Sequence, residues 1–344
     1  MNMKQRDHHA IVIGAGSIGH RHIRCFLETK RTAVSFVEPR DEIRQEIASL
    51  YPETLSFATL DEVTDWNRFD AAVIATTAPQ HLTHAAQMLE HGLHVLIEKP
   101  LAIDIEEAEA FLARAEKQPK VVAVAYVYRA NPLLVQMRDA LRSGEYGRPL
   151  EFIVYGGQHF PTYRPAYRDT YYRSHDAGGG AIQDALTHLF NVGLWLVGPM
   201  EKIVVDADHK ILDGVQVEDT VHVLARHQDG VMASYVLNQH QPANETTVTI
   251  VCERGQLRWE SHRQRWRACT APDTAWQDFS LPTPLVRDEL FIRQADSFFN
   301  AIEGKAVPLS DLRDGLQTLR VNVAAIASWR TGQWQSIDNY RKGS

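Results

Sequence analysis

The stretch "AIVIGAGSIGHRHIRCFLE" constrains this chain more than any other. A short apolar run ends in Gly14, Gly16 and Gly19, and an amphipathic pattern starts directly behind them. Strand, glycine turn and helix in that order open a parallel sheet of the dinucleotide-binding kind. Gly14 permits the tight turn, Gly16 lets a ligand approach the backbone, and Gly19 lets the helix pack closely on the strand. The first helical turn, with Ser17 and Ile18, then presents amides that have no partner within the helix to an anion. The next apolar run, "AVSFVEPR", ends in Glu38, with Arg40 two residues further on. An acid about twenty residues after the last glycine accepts the hydroxyls of an adenosine ribose. The pattern predicts an NAD site, because Glu38 repels a 2'-phosphate; Arg40 leaves NADP open.

The same rhythm continues through "AAVIATTAP", "LHVLIEKP" and "VVAVAYVYR", which are apolar on both faces and separated by helical segments. That is the pattern of a doubly wound parallel sheet. Asp104 followed by Glu107 reads as a capping box at the helix after "EKP". Beyond residue 130 come alternating strands joined by short turns such as Asp229-Gly230, which predict an open, mainly antiparallel sheet. Two amphipathic helices, near 285–303 and 309–330, close the chain, and the last is free to pack on either part. A chain of 344 residues exceeds what one core usually serves. The expectation is an α/β protein with a nucleotide-binding Rossmann domain over 1–129 and a substrate-binding and oligomerisation domain over 130–344.

Composition narrows the function. A net charge of -7 speaks against a nucleic-acid partner. The apolar run before the glycines is too short for a signal peptide or a membrane span, so the cytoplasm is the expected location. Cys25, Cys252 and Cys269 are widely spaced and odd in number, which suggests neither a disulfide framework nor a cysteine zinc site.

Chemistry-bearing residues gather where strands end at their carboxyl edge, the place where such sheets bind ligands. Thr76, Thr77, Pro79 and His81 follow one strand, and His81 reads either as a neighbour of the nicotinamide ribose or as an ordinary residue of a helix start. His84, His91 and His94 lack partners at metal-ligand spacing, and no metal is expected. Glu98, Lys99 and Pro100 end the next strand. Much later, "GGGAIQDALTH" sets Asp184 and His188 four residues apart on one helix face, behind Gly178, Gly179 and Gly180. Oxidising an alcohol with NAD needs a base for the hydroxyl proton, and histidine titrates in the useful range. His188 is the candidate base, Lys99 the group that stabilises charge on the substrate oxygen, and Asp184 the residue that orients them. A solvated lysine and a helix-stabilising Asp–His pair are the plainer readings.

Taken together, "GAGSIGHRH", "AVIATTAPQH", "EKPLA" and "GGGAIQDALTHLFNVGLWLVG" resemble the Gfo/Idh/MocA family, the glucose-fructose oxidoreductase, inositol dehydrogenase and rhizopine-catabolism group. The resemblance covers most of the chain. It implies that Lys99, Asp184 and His188 line the active site, that Pro100 belongs to the nicotinamide pocket, and that the substrate is a sugar, sugar derivative or cyclitol. It also implies homodimers or homotetramers that often pack through the second sheet. Val127 departs from the polar residue that many relatives carry beside Arg129, and Leu186 and Thr187 stand where a glycine commonly precedes the histidine.

"FPTYRPAYRDTYYRSHD" concentrates Arg164, Arg168 and Arg173 with Tyr163 and Tyr171, a mixture suited to an anionic sugar. Tyr163, Arg168, Tyr171 and Arg129 are the expected substrate contacts beside the three catalytic candidates. The Arg- and Trp-rich segment "GQLRWESHRQRWRACT" reads as a charged edge hairpin or an oligomer contact. Three rivals remain: redox-neutral glycoside cleavage on the same fold, a non-catalytic sensor of NAD or sugar, and a zinc hydrolase that lacks a third ligand.

Overall fold

The apolar strands of the first half are buried on both sides, and they form a wholly parallel sheet. In the computed structural model, which describes residues 7–337, these strands are β1 (His8–Ile13), β2 (Thr32–Val37), β3 (Leu55–Phe57), β4 (Ala71–Ile74), β5 (His94–Ile97) and β6 (Val122–Val124). Their order is β3-β2-β1-β4-β5-β6. The order reverses between β1 and β4, and that switch point is where a ligand binds in this architecture. Helices α1 (Ser17–Glu28), α2 (Asp41–Leu50), α3 (His81–Glu90) and α4 (Ile105–Ala115) make the crossovers. The expected cap is present: Asp104 accepts a hydrogen bond from the Glu107 amide at 2.8 Å.

The first compact unit comprises Met1–Ala130 together with Val286–Leu316. This corrects the expectation that 130–344 forms one continuous unit. The helix that returns is Glu289–Ile302, the last but one. The reason lies on α1, which buries His22, Ile23, Cys25, Phe26 and Leu27, a stripe wide enough for a helix as well as the sheet. Phe298 and Phe299 enter the same core as Phe26 and Val12. Phe299 also stacks on His8 at 4.7 Å, and Arg24 pairs with Asp288.

The second unit, Asn131–Leu285 with Gln317–Ser344, begins with α5 (Pro132–Arg142), capped by the Asn131 side chain. Strand β7 (Pro149–Gly157), the short helix α6 (Phe160–Tyr163) and α7 (Thr187–Val197) come next. The remaining strands are β8 (Met200–Asp208), β9 (Thr220–His227), β10 (Met232–Asn238), β11 (Glu245–Cys252), β12 (Gly255–Glu260), β13 (Arg265–Cys269), β14 (Gln277–Ser280) and β15 (Gln335–Ser336). The sheet order is β14-β13-β12-β11-β7-β10-β9-β8-β15, antiparallel except where β10 lies parallel to β7. Burial alternates along the strands: Phe152, Val154 and Tyr235 point into the core, while Ile153, Tyr155, Leu224 and Met232 are exposed on the opposite face.

The Arg- and Trp-rich segment is accounted for by strand packing. Trp259 is fully buried, and Trp266 stacks on Phe279 at 4.0 Å. Arg258 and Arg267 face one another across β12 and β13, and the Trp276 ring lies within 4.9 and 5.0 Å of their guanidinium carbons. The indole separates two like charges and attracts both.

Phe299 is the test of the returning helix. Phe299→Ala is expected to lower stability by about 3–5 kcal/mol in urea unfolding, whereas Val307→Ala, at a position 82% exposed, leaves the midpoint unchanged.

Candidate active site

The carboxyl edge of the first sheet is built around close backbone contacts. Gly14 has φ +85°, and a Cβ at Gly19 would lie 1.9 Å from the Gly14 carbonyl oxygen. Gly16 is the N-cap of α1 and no side chain caps it, so the amides of the first turn, from Ser17 onward, are left for a ligand. This cradle fits a diphosphate. Glu38 sits beside it, buried, with Oε2 accepting from the Ala15 amide at 2.9 Å. Arg40 donates from Nε to Oε1 at 2.6 Å and from Nη2 to Oε2 at 2.9 Å. Burial alone would raise the Glu38 pKa, but the Arg40 and Ala15 hydrogen bonds outweigh it and hold the carboxyl below the ordinary glutamate range. The acid and the cation read separately from the sequence are therefore one ion pair.

Pro79 lies in the short turn Ala78–Gln80 that leads into α3, and Thr77 Oγ1 reaches Gln80. His81 lies at the start of α3. Its ring is 2% exposed, with Nδ1 2.9 Å from the Pro100 carbonyl and Nε2 3.1 Å from the Thr76 carbonyl. Burial lowers its pKa, and a neutral ring carries one N–H, which serves one of these carbonyls at a time. His81 ties the loop after β4 to the loop after β5.

Glu98 is buried at the end of β5. Its Oε1 meets His22 Nε2 at 2.7 Å and its Oε2 accepts from the Lys99 amide at 3.0 Å. The half-buried Lys99 follows, joined to Pro100 by a cis peptide. Arg129, read as a substrate contact, is buried, and its Nη1 donates to the Leu309 carbonyl at 3.0 Å and to Asp314 at 2.7 Å. That guanidinium nitrogen anchors the 309–314 turn, a role that Asp314, 185 residues away, made illegible.

In the second unit the glycine run packs against buried polar groups. A Cβ at Gly179 would lie 2.2 Å from the Tyr172 carbonyl oxygen, and one at Gly180 would lie 2.7 Å from both Glu218 oxygens. Glu218, fully buried, accepts from the Ile182 amide at 2.8 Å and meets His175 Nε2 at 2.5 Å. Neither Glu218 nor His175 had been singled out, because nothing local marks them as partners of the glycines. The helix behind the glycines is not uniform: Ile182–Leu186 form one π-helical turn before α7. Such turns are frequent at functional sites. Asp184 lies in this turn, buried, and its Oδ1 accepts from the Tyr171 hydroxyl at 2.6 Å. His188 is half-buried at the start of α7. The Asn322 amide donates to Thr187 Oγ1, and that of Asn191 to Thr318 Oγ1, both at 2.9 Å, which pins α7 from behind.

The remaining predicted contacts of this stretch, Tyr163 and Arg168, are both exposed. Tyr163 is 48% exposed. Arg168 turns to the 209–214 loop, donating from Nε to the Asp213 carbonyl at 2.8 Å and from Nη2 to its carboxylate at 3.1 Å. Tyr167 and Tyr172 form a small core with Phe160, Leu212, Val215 and Val217.

Two family models match in sequence. Residues 8–126 fit the oxidoreductase family with an NAD-binding Rossmann fold, and residues 134–258 fit the GFO/IDH/MocA C-terminal domain. The chain belongs to the Gfo/Idh/MocA family. It is an NAD-binding oxidoreductase. The 1,5-anhydro-D-fructose reductase of Ensifer adhaerens is 26% identical over 284 residues, covering 82% of this chain and 84% of that protein. Levoglucosan dehydrogenase, solved with NADH and L-sorbose, has the same fold at a TM-score of 0.88 and 21% identity, covering 97% of this chain and 100% of that one. The WlbA dehydrogenase of Bordetella pertussis, solved with NADH and UDP-GlcNAcA, superposes at 0.84 with 22% identity, covering 97% and 99%. Among the described residues of this family member, no cluster of three His, Cys, Asp or Glu side chains is placed to hold a metal, and no helix is long and apolar enough to cross a membrane.

Cofactor choice should rest on the Glu38–Arg40 pair. Glu38→Ser is expected to raise the ratio of NADP to NAD binding by about 10- to 100-fold, read by fluorescence titration with the reduced cofactors. Adding Arg40→Ala should remove that gain.

Proposed function

We propose that this protein oxidises a secondary hydroxyl of a sugar, sugar derivative or cyclitol, or reduces the matching ketone, with Lys99, Asp184 and His188 as its catalytic residues. The observation that carries the reading is the Tyr171–Asp184 hydrogen bond on the π turn, one helical turn before the half-buried His188. A buried carboxylate held by a phenol has one oxygen fixed and presents the other in a set direction. Bound NAD supplies the hydride acceptor. His188 takes the hydroxyl proton, and a protonated Lys99 donates a hydrogen bond to the substrate oxygen as it becomes a carbonyl. Asp184, positioned by Tyr171, orients the imidazole or a neighbouring hydroxyl. The activities of two relatives, a 1,5-anhydro-D-fructose reductase and a levoglucosan dehydrogenase, support this substrate class. Arg164 and Arg173 are exposed in the loop before the glycines, and they favour an anionic sugar, the kind seen with the WlbA dehydrogenase.

The exposed face of the second sheet supports a homodimer or homotetramer in the cytoplasm, with free cysteine thiols suited to a reducing compartment. Ile153 and Leu224 flank Ser234 in one register row, and Tyr155 and Val236 pair in the next. Exposed large apolar side chains gathered on one sheet face, here Ile153, Tyr155, Leu224 and Met232, mark an interface. Ile153→Glu combined with Leu224→Glu should convert the assembly to monomers in sedimentation analysis; an unchanged mass would remove this face from the interface.

NADH absorbance in the presence of cyclitols, sugars, uronic acids and nucleotide sugars tests the reaction. A substrate-dependent rise is expected, and Lys99→Ala and His188→Ala should each lower turnover about 10²- to 10⁴-fold while NADH still binds. Full turnover in both variants would sink the assignment. Product formed without net NADH would identify the redox-neutral reaction instead.

A further inference from the structure

Glu98 is 5% exposed and carries its charge in the interior of the first unit. Burial raises its pKa, yet the His22 hydrogen bond and the nearby Lys99 charge outweigh this and keep the carboxyl below the ordinary range. A buried ionic group is poor value as a source of stability, since an apolar pair of similar volume serves as well or better. Its retention calls for another reason.

The geometry supplies one. His22 lies on α1, and its ring is set edge-on between Phe26, at 6.1 Å, and Phe291, at 5.8 Å. Its Nδ1 is buried with no hydrogen-bond partner among the described residues. Nε2 donates to Glu98 Oε1, because an ionised carboxylate oxygen only accepts. The fixed Oε1 leaves Oε2 to accept from the Lys99 amide. On the far side of Lys99, the Pro100 carbonyl meets the His81 ring. One buried imidazole therefore acts on the Lys99 amide through Glu98, and a second, from another helix, meets the carbonyl of the residue after Lys99.

We propose that His22 is a positioning residue for Lys99, acting through the Glu98 carboxylate. The inference rests on Lys99 being catalytic, as proposed above. His22 is 1% exposed and packs on Glu98, Phe26 and Phe291; through Glu98 it sets the direction from which the ammonium of Lys99 approaches its ligands. Displacing a reacting group by about 1 Å is enough to cost two orders of magnitude.

The test compares His22→Phe, which keeps the ring's volume and aromatic contacts, with His22→Gln, whose side-chain amide places a donor near the position of Nε2. Both are read as full-length, NAD-bound protein by hydrogen exchange at the Lys99 amide, which needs no substrate. They are also read by turnover with the substrate that the wild type oxidises. The Phe variant should lose protection at Lys99 while β2 amides keep theirs, and its kcat should fall about 30- to 100-fold with KM and the NADH dissociation constant unchanged. The Gln variant should recover both. Wild-type protection at Lys99 in the Phe variant would overturn the proposal. So would a parallel fall in kcat, NADH binding and thermal midpoint without recovery by Gln, the signature of a merely structural role. Full turnover by Lys99→Ala would instead strike the reading beneath it, and the two failures are told apart by which variant retains activity.

Discussion

A Cβ at Gly19 would stand 1.9 Å from the Gly14 carbonyl oxygen, so α1 leaves β1 along its present axis only because residue 19 has no side chain. Much else depends on that contact. With a rise of 1.5 Å per residue, the axis carries His22 to the end of β5 and Phe26 to Phe299. The same turn brings the Ala15 amide to Glu38. A bulkier residue at 19 would push the helix off the sheet and break the cofactor cradle, the Glu98 contact and the seat of the returning helix together.

Buried carboxylates recur as organisers of loops in both units. Glu38 takes the Ala15 amide, Glu98 the Lys99 amide and Glu218 the Ile182 amide, while Asp219 takes those of Lys210, Ile211 and Leu212. For Glu38, Glu98 and Asp219 desolvation opposes the charge and directed N–H donors offset it. A carboxylate has about four acceptor sites, so one side chain can define the path of a whole turn where regular ladders end. The turns held by Glu38, Glu98 and Glu218 carry or adjoin candidate residues of the site, and the acids are better understood as specifying loop shape than as adding net stability.

What was legible in the chain follows from how local each signal is. The glycine turn and Glu38 are read from spacing within one strand–helix–strand unit, and the change from two-sided apolar strands to alternating ones separates the parallel sheet from the mainly antiparallel one. The His22–Glu98 pair spans 76 residues and the Arg129–Asp314 pair 185, and no periodicity links such partners. Tyr163 and Tyr171, read as substrate contacts, lie in the same arginine-rich stretch as Tyr167 and Tyr172, which close a small apolar core. Composition alone does not separate those uses, since an aromatic ring serves a core and a ligand by the same surface.

The π turn shows why a correct spacing still gave an incomplete picture. Asp184 and His188 stand four residues apart in either helix type, so the sequence pattern does not reveal the inserted residue. The neighbours do: Gly179 and Gly180 press the chain onto Tyr172 and Glu218, the Glu218 carboxylate takes the Ile182 amide, and Tyr171 draws on Asp184. The turn is thus gripped from one side just where α7, pinned by Asn322 and Thr318, is held from the other. The widened turn lies between these two anchors, at the position of the buried carboxylate.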